Sequence, residues 1–306
     1  MALGCWVICL WPVRILLIVV AATLAHADVD LDRDGLSDGL EQELLERFAP
    51  RFHVHRHDCD VLPSEFAAGA TDPKALARNG VIYGRVAPAR SRTEGAAIEI
   101  QYFHLWARDC GSMSHAFDIE HVTAYVRAGQ ADAAAPEWKA MYWYSAAHED
   151  TLCDNSSGMR AVLLDAETKG PNVWVSKGKH ASYLTRERCA EGCRADDCAN
   201  AGLLENARIV NLGEAEAPLN GAVWTGSPQW NMRAKLLRAD FDDAVLARME
   251  QAGTLETRGS RPLKGVAKAG SETSGALSGA KRATSGKVRN AVRTAKEKTG
   301  WFLGLR

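Results

Sequence analysis

Apolar positions change their spacing several times along the chain, and each change marks a boundary. Behind Arg14, apolar residues run almost unbroken from Ile15 to Leu24 and end at Ala25-His26-Ala27. A charge, a short apolar run and a small-x-small site predict a cleaved export signal over residues 1–27. An uncleaved anchor is the weaker reading, because Arg14 breaks the run short of the ~20 residues a spanning helix needs. Leu40, Leu44, Leu45 and Phe48 then recur at helical spacing and stop before Pro50, which predicts a short helix within residues 28–49.

From Asn79 to about Gln229 the helical period gives way to short runs rich in aromatic and β-branched residues, at 81–84, 98–106, 119–126, 141–145 and 173–175. Their period-two stretches, separated by turn residues, predict a mainly β fold: one antiparallel β-sandwich domain over residues 50–257. Ala239, Phe241, Val245, Leu246 and Met249 predict one closing helix over about 238–251. Beyond Gly259 the composition falls to Gly, Ser, Ala, Thr and Lys, which cannot bury a core and predicts a disordered tail over residues 258–306.

Charge separates these segments further. The chain is nearly neutral at −1, yet residues 258–306 hold twelve Lys or Arg against Glu272 and Glu297, so an acidic body carries a basic tail. Val288, Val292, Ala295, Thr299 and Phe302 lie near one helical face of that tail, where a basic amphipathic helix can rest on an anionic membrane surface. Without interleaved aromatic platforms the tail does not point to nucleic acid.

Two of the eight cysteines, Cys5 and Cys9, fall within the export signal. Cys59, Cys110, Cys153, Cys189, Cys193 and Cys198 remain, an even set that predicts disulfides in a secreted or periplasmic protein, with connectivity open. Zinc held by Cys189, Cys193 and Cys198 is the less favoured use.

Asp30-x-Asp32-x-Asp34-Gly35 followed by Asp38 and Glu41 matches the spacing of a calcium loop. Alternate oxygens wrap a hard cation, the glycine allows the sharp turn, and the last Glu can ligate from the first turn of a helix. An acidic cap on a solvated terminus is the competing reading. His53-x-His55-x-His57 alternates in a way that could serve zinc, nickel or copper, with a polar strand at an exposed edge as the plainer interpretation.

The stretch from Asp109 to Val122 holds the most chemistry. A strand beginning at Asp118 puts Asp118 and Glu120 on the face continued by Val122, Ala124 and Val126, so two carboxylates head an apolar row. Burying such a pair is costly without a cation. With His115 and Asp109 nearby the donors are mostly oxygen, favouring calcium, magnesium or manganese. Pairing of Asp118 and Glu120 with Arg108 or Lys179, without metal, is the structural alternative. His121 points to the opposite face, and His148-Glu149-Asp150 is a polar run able to reach the same cleft.

Ser114-His115-Ala116-Phe117-Asp118-Ile119-Glu120-His121-Val122 resembles the Gly-His-Arg-His-Asp-Trp-Glu-His-Val signature of the NPP1-type necrosis-inducing proteins, and the related stretch of Vps62-like proteins. Lys177-Gly178-Lys179-His180-Ala181-Ser182-Tyr183 is similar to the Gly-x-His-Ala-x-Tyr stretch of the latter, and the matches span roughly residues 80–185. The resemblance implies a β-sandwich whose cation, held by His115, Asp118, Glu120 and an upstream Asp109, engages sphingolipid head-group sugars, with His180 close by. Ser114, Ala116, Phe117 and Ile119 depart from the signature, so the cation-binding pattern is kept better than the rest.

The favoured expectation is therefore a binding protein for a sugar or lipid head-group. Two alternatives follow: a metal-dependent hydrolase with Glu120 or His121 as candidate base, and a membrane-damaging effector attached through its tail and Trp301-Phe302. No nucleophile elbow or HExxH motif supports catalysis.

Overall fold

The computed structural model describes residues 29–90, 96–111, 113–129, 137–149, 151–193, 196–214, 217–230 and 233–256; the predicted export signal and basic tail lie outside them, as does Asp150. Helix α1 (Asp38–Arg47) leads into β1 (Arg51–His55), the hairpin β2 (Ser64–Phe66) and β3 (Ala75–Arg78), and the run β4 (Val81–Pro88), β5 (Ala97–Asp109), β6 (His115–Ala128), β7 (Trp138–Ser145) and β8 (Ser157–Arg160). There follow β9 (Asn172–Val175), β10 (Ser182–Tyr183), α2 (Arg186–Ala190), β11 (Ala201–Leu203), β12 (Arg208–Asn211), β13 (Gly213–Glu214) and β14 (Ala217–Pro218). Helices α3 (Arg233–Leu237) and α4 (Asp243–Ala252) and strand β15 (Thr254–Glu256) come last.

The fold is mainly β. A seven-stranded sheet runs β12-β4-β5-β6-β7-β8-β15 and a four-stranded one runs β10-β9-β1-β11. Pairing is antiparallel except for β1 with β9 and β4 with β12, which are parallel. Those two pairs need long crossovers, which local patterning does not encode.

Between the sheets, Phe52 and Val54 of β1 and Val173 and Val175 of β9 share a buried core with Tyr102, Trp106, Val122, Ala124 and Trp143 of the larger sheet. Leu44, Leu45 and Phe48 of α1 join this core. Gly84 in β4 permits the close approach, since a Cβ there would lie 2.3 Å from Leu45 Cδ2. The other face of the large sheet is covered by Phe66, Trp224, Trp230 and Leu236 at one end and by Phe241, Val245, Leu246 and Met249 at the other. Both faces of β4 to β6 are thus covered, and polar residues such as Arg85, Glu99, Gln101, His104 and His121 are buried with the apolar ones.

Three expectations are corrected. The closing helix expected over about 238–251 starts only at Asp243, because Asp242 accepts from the Val245 N–H and caps α4 there, and Gly253 with φ 73° ends it, freeing β15 to pair with β8. β1 is an interior strand between β9 and β11, not an exposed edge. Its imidazoles do not converge: His53 stacks on Trp174 and meets Asn172, whereas His55 Nε2 lies 3.4 Å from Asp197 and its Nδ1 accepts the His57 N–H. All six cysteines of the domain are disulfide-bonded, Cys59 to Cys110, Cys153 to Cys193 and Cys189 to Cys198, which removes the zinc reading. Among the described residues no helix is long and apolar enough to cross a membrane.

Candidate functional site

The β5–β6 hairpin is longer than its neighbour. β5 and β6 pair as far as Asp109 with His115, whereas β6 pairs with β7 only from Val122 onward. After Ser145 the chain turns away, leaving residues 115–120 of β6 beside a cavity of about 200 Å³. Its walls include Asp109, His115, Asp118, Glu120, His148, Glu149, Lys179 and Lys235. The alternation of β6 carries Asp118 and Glu120 to this opening, where the apolar row of Val122 and Ala124 ends.

Ligand-capable atoms of Asp109, His115 and Asp118 all lie within 4.8 Å of one another. His115 Nδ1 is 2.8 Å from the Phe117 carbonyl, which only accepts, so Nδ1 carries a proton. In a neutral ring the lone pair of Nε2 then faces Asp109 Oδ2, 3.2 Å away. Two acceptors meet there unless a second proton or a cation lies between them. Lys179 Nζ donates to the same Asp109 oxygen at 2.7 Å.

Asp118 is 2 % exposed and accepts from the Ile119 N–H and from His180 Nδ1 at 3.0 Å. Burial works to raise its pKa, but the hydrogen bond and charge of His180 outweigh it and hold the group below the usual carboxylate value. Glu120 Oε1 accepts from Lys235 Nζ at 3.0 Å, while Oε2 is buried without a hydrogen-bond partner among the described residues. Burial pushes Glu120 up to about 7 against the pull of Lys235. The structural alternative is thus corrected in detail: Asp118 pairs with His180, Glu120 with Lys235, and Arg108 is exposed.

His180 lies behind this wall, bracketed by Asp118 and by Asp58, whose Oδ1 is 3.7 Å from Nε2. Burial opposes its charge, yet the two carboxylates raise it to about 9. The turn that presents it is built on Gly178, with φ 75°, whose carbonyl accepts from both the Cys110 and Gly111 N–H groups. The Cys59–Cys110 disulfide joins the loop that carries Asp58 to the chain just beyond Asp109 at the end of β5.

His148 also reaches the cavity, with Nε2 2.8 Å from Asp196 Oδ2; burial lowers its pKa but Asp196 raises it above the ordinary value. His121 does not reach it. Its ring is fully buried on the opposite face, with Nε2 3.0 Å from Asp240, so of the two candidate bases only Glu120 borders the cavity. Asp30, Asp32 and Asp34 gather at a separate place, beside Glu214 of β13. Asp38 accepts from the Leu31 N–H.

Sequence reasoning missed Lys235 and Asp58. Lys235 sits in a five-residue helix far along the chain, with no local pattern to mark it. Asp58 had one available signal, its position beside Cys59.

The fold and cleft define a disulfide-bonded β-sandwich with a buried acidic site flanked by lysines. No family model matches the chain, and no curated protein matches it. Among solved structures, an NLPPya mutant and NLPPya in complex with glucosamine are similar to it at 14% identity, over 69% of this chain and 89% of theirs, with TM-scores of 0.39 and 0.37. A structure described as a toxin fold for microbial attack and plant defense is similar at 13% identity, over 74% of this chain and 99% of its own, with a TM-score of 0.38. At this degree of overlap the likeness decides neither ligand nor activity.

Proposed function

We propose that this is an exported protein whose cleft holds a divalent cation, calcium or else magnesium or manganese, and through it binds the hydroxyls of a sugar or lipid head-group. The observation that carries the reading is the convergence of Asp109, His115 and Asp118, whose ligand-capable atoms all lie within 4.8 Å of one another on the wall of the cavity. Glu120, which borders the same cavity, would complete a donor set of three carboxylates and one imidazole. Such a set fits a hard cation and is poor in the soft ligands that zinc or copper prefer.

A bound cation would supply positive charge that orients hydroxyl oxygens. The chain's own residues do the rest. His180 holds Asp118 in place, Lys235 fixes Glu120 by one oxygen, and Lys179 brings an ammonium suited to an anionic group of the ligand. The disulfides support export, since such bonds persist in oxidising compartments.

A glycan and lipid head-group array, run with calcium and then with chelator, tests the reading. Retention that depends on the cation and is lost in Asp118→Ala, Glu120→Ala supports it; binding indifferent to both contradicts it. Attachment to anionic membranes through the tail is a separate proposal, and deleting residues 259–306 should then abolish binding to phosphatidylserine vesicles.

A further inference from the structure

The amino-terminal loop carries an observation independent of the cleft. Between Val29 and Gly35 exposure alternates: Val29, Leu31, Arg33 and Gly35 face outward, while Asp30, Asp32 and Asp34 are turned in. Ligand-capable oxygens of the three aspartates lie within 4.8 Å of one another. Asp30 folds the loop by accepting from the Arg33 and Gly35 N–H groups, and Gly35 takes φ 97°, the turn that the sixth position of a calcium loop requires.

Helix capping does not account for this convergence. Ser37 is the cap of α1, accepting from the Leu40 N–H, so the inward aspartates are left over. Glu41, in the first turn of α1, is 0 % exposed. Its Oε2 accepts from Asn211 of β12, but Oε1 has no partner among the described residues, and neither do Asp32 Oδ1 and Asp34 Oδ2. Uncompensated burial of several carboxylate oxygens at one place is costly. Burial accordingly raises Asp34 to about 6 and Glu41 to about 8.

We infer that Asp30, Asp32, Asp34 and Glu41 form a calcium site that locks α1 and the amino-terminal loop to β12, at the edge of the large sheet, and to β13, which follows it in the chain. The connection is already drawn in hydrogen bonds: Asp32 accepts from the Glu214 N–H and Glu41 from Asn211. The ion neutralises the carboxylates that these bonds leave uncompensated. Asp38, which the sequence pattern places as a ninth-position ligand, serves instead to close the loop on Leu31. The role is structural, and the inference stands whether or not the cleft takes a metal.

The test uses the full chain from an oxidising host, stripped with chelator and titrated with calcium chloride by calorimetry and heat scans. Asp32→Asn with Asp34→Asn, Glu41→Gln alone, and Asp118→Ala with Glu120→Ala are compared with the parent. Loss of loop ligands should weaken one calcium site by about ten- to a hundredfold and remove its contribution to Tm, while the cleft variant keeps both. Loop variants that bind as the parent does would overturn the site. Calcium binding that disappears only in the cleft variant would overturn the loop and leave the cleft standing. Hydrogen exchange on the parent needs no variant: calcium must slow exchange at residues 29–41 and 211–214, and unchanged rates there contradict the inference.

Discussion

The imidazole of His180 lies face to face with the indole of Trp106, ring centroids 3.9 Å apart and planes 7° from parallel. Asp118 and Asp58 stand at its two nitrogens. The two carboxylates raise this buried ring to about 9 against the cost of its burial, which favours the imidazolium beside the acidic wall of the cleft.

Stability should therefore fall on the alkaline side. The folded pKa of His180 lies above its ordinary value of 6.5, so its contribution is complete below about 6.5 and is lost as pH rises through about 9. In chelator, unfolding free energy measured by urea titration should drop over that window by on the order of a few kcal/mol, and His180→Gln should flatten the drop. An unchanged pH profile in the variant would show that the imidazolium is not there.

Cation affinity should move the other way. Glu120, raised to about 7, is protonated below that pH and must release its proton to accept a metal. Binding at the cleft is expected to weaken by about tenfold per pH unit below 7 for one displaced proton. Calorimetry at pH 6 in buffers of different ionisation enthalpy should detect the release, and equal heats in all buffers would refute it.

Lys235 is 2 % exposed and spans Glu120 and the Ile119 carbonyl. Lys235→Met leaves a buried carboxylate without its ammonium, a loss of about 3 kcal/mol or more in chelator. Added calcium should restore part of it, since the ion replaces the missing charge. Thermal scans with and without calcium would reveal this, and a loss that calcium does not reduce would mean that no cation reaches Glu120.

Gly178 takes φ 75° at the head of the turn bearing Lys179 and His180. Gly178→Val strains that backbone by roughly 1–3 kcal/mol and shifts both cleft residues. Ligand binding should decline more than global stability accounts for. Equal affinity at a temperature well below Tm would argue that the turn does not position the site.

The cleft was more legible in the sequence than the sheet that carries it. Period two alone placed Asp118 and Glu120 beyond Val122, because a strand's faces follow directly from its alternation. The ends of β5 and β6 were harder: Asp109 and His115 belong to the strands, yet polar residues at a site lack the apolar signature of a strand interior. β1 misled as well, since Arg56 and Asp58 beside its histidines suggest an exposed edge although partners lie on both sides. Lys235 is brought to the cleft by tertiary contacts, and Asp58 is held behind its wall beside the Cys59–Cys110 disulfide, relationships that no local window contains. The parallel pairing of β9 with β1 is of that kind too.

Metal analysis of the parent beside Asp118→Ala, Glu120→Ala, in a background where Asp32→Asn and Asp34→Asn silence the amino-terminal loop, tests the cleft most directly. Loss of the remaining calcium, magnesium or manganese in the double alanine variant, with near-ultraviolet circular dichroism preserved, is the predicted result. The same metal at the same stoichiometry in both proteins would contradict the account.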